Sequence, residues 1–178
     1  MWKKISSKVL LDHPRLTVVE DEVRLPDGST TKYIHTPGKG SAATIICKRN
    51  GKILLQREYS YPPNKLIYQF PGGFVPKDED VKKGANRELM EEAGLRAGKL
   101  RLLGKYLVNN RRSNSYMYVF LATNLKEKKL DGDVEEDIES FWLAESKIDQ
   151  MVKEGEIINS YALASWALYK SLKLEGEV

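Results

Sequence analysis

Sulfur and imidazole are scarce in this chain. One cysteine, Cys47, stands among 178 residues, so no internal disulfide framework can form and a thiolate zinc knuckle is excluded. Two histidines, His13 and His35, cannot build a His-rich metal centre. Any bound metal must then be held by carboxylates, which selects a hard cation such as Mg²⁺ or Mn²⁺. Lys and Arg never run in blocks longer than two, so a nucleic-acid-binding arm is not indicated. No apolar run approaches the roughly 18 residues that span a bilayer. The basic start Met1-Trp2-Lys3-Lys4 has no apolar segment behind it, so no signal peptide is expected. The expected location is the cytoplasm, where a lone thiol is safe. The 13 glycines and 7 prolines follow no period, which excludes collagen-like and mucin-like chains.

What is present suits an ordinary folded protein. Apolar residues make up 41% and charged residues 30%, enough apolar matter for a core. The length fits one domain with room for a small appendage. A net charge of +4 suits an anionic ligand.

The chain alternates strand and helix signals. Residues 16–24 and 30–36 are rich in β-formers around the turn residues Pro26-Asp27-Gly28, which predicts a hairpin. Residues 36–41 read as a linker. Asn50-Gly51 between two apolar runs predicts a second hairpin, because both positions must accept positive φ. Residues 59–72, with three prolines and one glycine, read mainly as loop. A helix is predicted from about Asp80 to Ala93, stopped by Gly94. Strands are expected at 100–108, 115–123 and 138–143, a charged loop at 125–137, and helices at 144–153 and 157–172. In the last, Ile158, Tyr161, Ala162, Leu168, Tyr169 and Leu172 fall on one face and read as core packing. The class is α/β or α+β with a mixed sheet.

Chemistry concentrates at Gly72–Leu95. Arg87, Glu88, Glu91 and Glu92 lie within six residues of the predicted helix. Glu88 and Glu92 share a face at one-turn spacing, and Glu88 and Glu91 are neighbours. Such like charges repel by a few tenths of a kcal/mol per exposed pair, and by more if buried. A divalent cation would turn the repulsion into attraction and leave coordination positions for water and phosphate oxygens. Taken alone, Arg-Glu-x-x-Glu-Glu is usually a solvated helix face, and Arg87 with Glu91 is a plain ion pair.

The surrounding residues change that balance. Gly73, five residues, Glu79, seven residues, then Arg87-Glu88-Leu89-x-Glu91-Glu92-x-Gly94-Leu95 match the 23-residue Nudix box at every fixed position. A chance match at a given start is on the order of one in a billion. The chain therefore resembles the Nudix hydrolases. The resemblance implies an α/β/α sandwich with a mixed sheet, covering about 41–178. Similarity to the family's ADP-ribose and nucleotide-sugar pyrophosphatase group implies in addition a small β-rich section at 1–40 that pairs across a homodimer and helps to bind the adenosine end of the substrate.

The resemblance further implies hydrolysis of a nucleoside diphosphate linked to another moiety, giving a nucleoside monophosphate, with Mg²⁺ or Mn²⁺ as cofactor. By position, Glu88 and Glu92 become the principal metal ligands. Glu91 holds the metal directly or through water, and Gly72 lends its carbonyl. Arg87 orients the glutamates, with Glu79 as its partner. The attacking water's base comes from Glu135, Glu136 or Asp137; Glu136 is favoured because Glu136-Asp137-Ile138 matches the family pattern.

Two features resemble the ADP-ribose and nucleotide-sugar pyrophosphatases. Leu55-Gln56-Arg57-Glu58-Tyr59 precedes Phe70-Pro71-Gly72-Gly73, which gives Arg57 the substrate phosphates as partner. The other is the N-terminal section, where Trp2 or Tyr33, or Tyr59 on the later strand, are candidates to stack a base. The loop Asn109–Asn114 lacks the proline that ADP-ribose enzymes usually carry, but its Arg111 and Arg112 suit an anion. The expected substrate is thus a nucleoside diphosphate derivative, an ADP-sugar foremost. The alternatives are a nucleotide- or RNA-binding module without hydrolysis, or action on another diphosphate.

Overall fold

A computed structural model describes residues 1–132 and 137–176. The chain divides into two compact units. One comprises Met1–Lys39 with Leu107–Tyr116, and the other Gly40–Tyr106 with the chain from Met117 onward.

The first unit is an antiparallel sheet of β1 (Lys3–His13), β2 (Leu16–Arg24) and β3 (Thr30–His35) in that order. Its second turn is the expected one: Asp27 Oδ1 accepts from the Ser29 amide at 3.0 Å, and Gly28 has φ +89°. β2 is the half-buried strand, with Val19, Asp21 and Val23 covered. Buried Asp21 is satisfied by the Ser7 hydroxyl and by His35 Nε2 at 3.0 Å. β1 was not foreseen as a strand. All eleven of its residues are exposed, so it carries no hydrophobic contrast between its two faces. Residues 107–116 join this unit through Thr36 N to Arg112 O (2.7 Å) and Gly38 N to Asn114 Oδ1 (2.8 Å).

The second unit is built on a mixed sheet. Its strands are β4 (Gly40–Arg49), β5 (Lys52–Ser60), β6 (Lys65–Gln69), β7 (Phe74–Pro76), β8 (Leu95–Leu107), β9 (Tyr116–Glu127) and β10 (Ile138–Ala144). The order is β10-β5-β4-β9-β8, with β6 on β5 and β7 on β4. β4 and β9 run parallel, with Ala42 opposite Met117, and the other registered pairs are antiparallel. Asn50 (φ +52°) and Gly51 (φ +73°) make the predicted tight turn.

Alternate side chains of β4 and β5 divide between two cores. Ile45, Cys47 and Leu54 pack with Ala85 and Leu89 of α1 (Val81–Ala93). Ile46, Ile53 and Leu55 pack with Ile148 and Met151 of α2 (Glu145–Lys153) and Trp166 and Tyr169 of α3 (Ser160–Leu174). Two-residue periodicity thus puts helices on both faces, the α/β/α arrangement of an α+β chain. Among the described residues no helix is long and apolar enough to cross a membrane.

Three expectations needed correction. The segment 59–72 is not all loop, because β6 lies inside it. Its prolines do not interrupt pairing: Pro62 and Pro63 precede the strand, and the buried Pro71 follows it, with its carbonyl accepting from Ile45 N at 2.8 Å. β8 begins at Leu95, five residues early, hidden by the poor β-formers Ala97 and Gly98. At Gly98 a Cβ would lie 2.7 Å from Asn124 O, so the close strand approach demands glycine. On α3 the buried face is Ala162, Ser165, Trp166 and Tyr169, whereas Ile158 and Tyr161 are exposed. Ile158 precedes the cap Asn159, so helical spacing does not apply to it.

Candidate active site

Local sequence fixes the ends of α1. Asp80 Oδ1 caps it by accepting from Lys83 N at 2.9 Å, and Gly94 closes it in the left-handed region at φ +65°. Gly84, Ala85 and Leu89 form its buried face. Gly84 lets the helix settle on β7, where a Cβ would stand 2.7 Å from Val75 Cγ1. That seating brings Glu88 and Glu92 onto the Gly72–Gly73 segment. Glu92 Oε2 accepts from Gly72 N at 2.9 Å. The Glu88 carboxylate lies against the Gly73 backbone, leaving no room for a side chain there.

Arg87 ties the acidic groups together. Its Nε and Nη2 donate to both oxygens of Glu79, at 3.2 and 3.0 Å. Nη1 reaches Glu91 Oε2 at 2.7 Å and Glu88 Oε1 at 2.8 Å, and Nη2 also donates to Phe74 O at 3.2 Å. The Glu79 fork, followed by Glu88 and Glu91, pushes the guanidinium pKa still higher. Glu88 is raised above the usual carboxylate range chiefly by burial, opposed by Arg87 and reinforced by the like charges of Glu91 and Glu79.

The donor set suits a hard dication in chemistry. Every group is a carboxylate or backbone oxygen, and the half-buried Glu88 carries an ionisation penalty that a cation would relieve. Among the described residues no three or more acidic, thiol or imidazole groups already converge as a metal cage. In this structure the neutralising group for Glu79, Glu88 and Glu91 is the Arg87 guanidinium.

Arg57 on β5 faces its register partner Glu139 on β10, with Nη2 to Oε2 at 2.7 Å, and lies against the rings of Tyr68 and Phe141. Beside it Gln56 is fully buried, and neither its amide nitrogen nor its amide oxygen has a partner among the described residues. Arg111 belongs to the N-terminal unit. There it lines a cavity of about 390 Å³ with Trp2, Tyr33, His35 and Arg112, and its carbonyl accepts from the Tyr33 hydroxyl. Trp2 and Tyr33 meet edge to face at 5.8 Å, and Tyr59 donates to Asn64 at 2.9 Å. Glu135 and the favoured Glu136 lie outside the described residues.

A second cavity went unforeseen. It measures about 290 Å³ and shares the Gly72–Gly73 backbone with the acidic cluster. Gln69 and Asn159 line it from sites 90 residues apart, a separation that no local pattern reveals.

Comparison with known proteins agrees with this geometry. A family model described as NUDIX domain matches residues 38–164, well over half of the chain. The chain belongs to the Nudix family. Within that family it is a hydrolase of the pyrophosphate bond. A second model, described as nucleoside diphosphate sugar hydrolase N-terminal domain, matches residues 2–33. A "Methanol dehydrogenase activator" of Bacillus methanolicus is 30% identical over 143 residues, 79% of this chain and 77% of that one. An "ADP-ribose pyrophosphatase" of Bacillus subtilis is 25% identical over 178 residues, 97% of this chain and 96% of that one. A solved structure titled "Crystal structure of ADP compounds hydrolase" superposes with a TM-score of 0.90 at 22% identity, covering 99% of this Nudix chain and 97% of that one. That likeness establishes the common fold.

Proposed function

We propose that this Nudix hydrolase splits the pyrophosphate bond of ADP-ribose or another ADP-sugar, releasing a nucleoside monophosphate and a sugar phosphate, with Mg²⁺ as cofactor and Mn²⁺ able to replace it. The observation that carries the reading is Glu88 and Glu92 gathered on the Gly72–Gly73 backbone, with Glu91 beside them on Arg87. Relatives from Bacillus subtilis and Mycobacterium tuberculosis bearing the name ADP-ribose pyrophosphatase support the substrate class.

Glu88 and Glu92 would hold the cation, with Glu91 direct or through water and the Gly72 carbonyl completing the set. Bound there, the cation supplies charge neutralisation for the diphosphate oxygens. Arg87 keeps three carboxylates in place through its fork and spreads their charge. Arg57 and Arg111 would bind the anionic substrate. Glu136, favoured over Glu135 and Asp137, would accept the water proton. Residues 1–40 act as the dimerising section of a homodimer and 41–178 as the hydrolase domain. The exposed Ile5, Val9, Leu10 and Leu11 of β1 support self-association. The buried free Cys47 suits a reducing cytoplasm.

A hydrolysis screen tests the reading. Purified protein is offered ADP-ribose, other nucleotide sugars, NADH, dinucleoside polyphosphates and nucleoside triphosphates, with Mg²⁺ and with EDTA. Mg²⁺-dependent release of AMP from ADP-sugars is expected. Tight binding without cleavage of any compound would replace hydrolysis by a binding role.

A further inference from the structure

The cavity of about 290 Å³ beside Gly72–Gly73 has no charged side chain among its lining residues. Gln69, Phe70, Phe74, Met117, Asn159 and Tyr161 supply its larger walls, with Thr44, alanines and glycines between them. It offers no cationic side chain to an anion, and its amides and hydroxyl suit a polar, neutral moiety. Yet it shares its backbone wall with Glu88 and Glu92.

Its two amides are held in fixed orientation. Asn159 Oδ1 caps α3, accepting from Tyr161 N at 2.8 Å and Ala162 N at 3.4 Å. Its Nδ2 therefore turns the other way and donates to Gln69 Oε1 at 3.3 Å. Gln69 Nε2 in turn donates to the Glu58 carboxylate at 2.8 Å. The acceptor-only carboxylate at one end and the donor-only helix amides at the other forbid either amide to flip. These bonds leave one N–H on Asn159 Nδ2, one N–H on Gln69 Nε2 and one lone pair on Gln69 Oε1, with the Asn159 N–H beside the Gln69 lone pair. On the adjoining wall Thr44, 6% exposed, donates its hydroxyl to Met117 Sδ at 3.4 Å, a weak acceptor.

A neighbouring donor and acceptor match a vicinal diol, in which one hydroxyl accepts and the next donates. Tyr161 and Phe74, both substantially exposed, offer ring faces for a sugar's C–H surface. We propose that this cavity is the subsite for the sugar of the departing sugar phosphate, with Gln69 and Asn159 reading its diol as specificity-determining residues. The inference rests on the proposed pyrophosphatase reading for its orientation, but it is tested by binding alone.

The probe is ribose 5-phosphate, titrated into the full chain while the side-chain amide resonances of Gln69 and Asn159 are followed by NMR. Ribose 5-phosphate is expected to shift both. 2-Deoxyribose 5-phosphate, lacking the diol, should bind at least tenfold more weakly, and inorganic phosphate should leave both amides unmoved. Asn159→Asp keeps the helix cap but replaces the donor with an acceptor. It should weaken ribose 5-phosphate at least tenfold and raise KM for ADP-ribose similarly, with kcat changed less than threefold. Thr44→Val, which keeps shape, provides a second variant with a smaller loss. Amides that stay silent to ribose 5-phosphate while the enzyme turns over ADP-ribose overturn the subsite alone. Shifts produced by AMP but not by ribose 5-phosphate overturn it in favour of the nucleoside end. Shifts by ribose 5-phosphate without turnover of ADP-ribose or another ADP-sugar uphold the sugar site and sink the ADP-sugar reading.

Discussion

The Gly73 backbone and the Glu88 carboxylate are in contact across the space that a side chain would occupy: a Cβ on residue 73 would come within 2.7 Å of Glu88 Cδ. Gly73→Ala must therefore push that carboxylate aside. A displaced catalytic group on this scale costs roughly 100-fold in rate. The variant should fold, with an unchanged far-ultraviolet spectrum, and lose about two orders of magnitude in kcat/KM for ADP-ribose. Full activity in Gly73→Ala would show that the position of Glu88 does not matter.

Arg87 is the counter-charge for Glu79, Glu88 and Glu91. Removing one partner of a buried pair costs about 3–5 kcal/mol, and a guanidinium one-third exposed is screened, so about 1–3 kcal/mol is expected for Arg87→Ala. Urea denaturation without divalent cation measures it. Added Mg²⁺ should narrow the deficit, because ligand binding to the folded state offsets the missing charge. A deficit that Mg²⁺ leaves unchanged would separate these carboxylates from metal binding.

At Gly84 two effects oppose each other. Alanine gains about 1 kcal/mol in helix propensity over glycine. Its Cβ would also stand 2.7 Å from Val75 Cγ1, and such overpacking costs about 1–3 kcal/mol. Gly84→Ala should be net destabilising, and Val75→Ala in the same chain should recover part of the loss. Thermal melts of the single and double variants check the sign.

Asp21 gives the N-terminal unit an acid-sensitive contact. The Ser7 hydroxyl bond holds its carboxyl below the ordinary 3.8, against the upward push of burial and with help from His35 and Lys4. A depressed carboxyl contributes stability above its unfolded value and loses it as pH falls through the folded one. Stability should therefore drop below about pH 4 more steeply in the native chain than in Asp21→Asn. Urea midpoints between pH 2.5 and 6 test it, and parallel curves would contradict it.

The helix and its acidic ladder were fully legible in sequence because each signal is local. Asp80 caps, Gly94 stops, and Glu88 and Glu92 sit one turn apart. The Asn50-Gly51 turn is of the same kind. What sequence hid was either featureless or long-range. β1 has no buried face to pattern it, and Gly98 looks like a strand breaker until Asn124 O is seen against it. The Arg57–Glu139 contact joins residues 82 positions apart, so no neighbour in the chain announces it. The Glu58–Gln69–Asn159 chain is invisible for the same reason.

The most direct measurement is turnover of ADP-ribose at saturating Mg²⁺ by the native chain and by Glu92→Gln, an isosteric change that removes one charge at the Gly72 amide. AMP and ribose 5-phosphate should appear with the native chain, and the rate should fall by about a thousandfold or more in Glu92→Gln at an unchanged melting temperature. Equal rates in the two proteins, or no AMP from either, would contradict carboxylate-held metal catalysis at this helix.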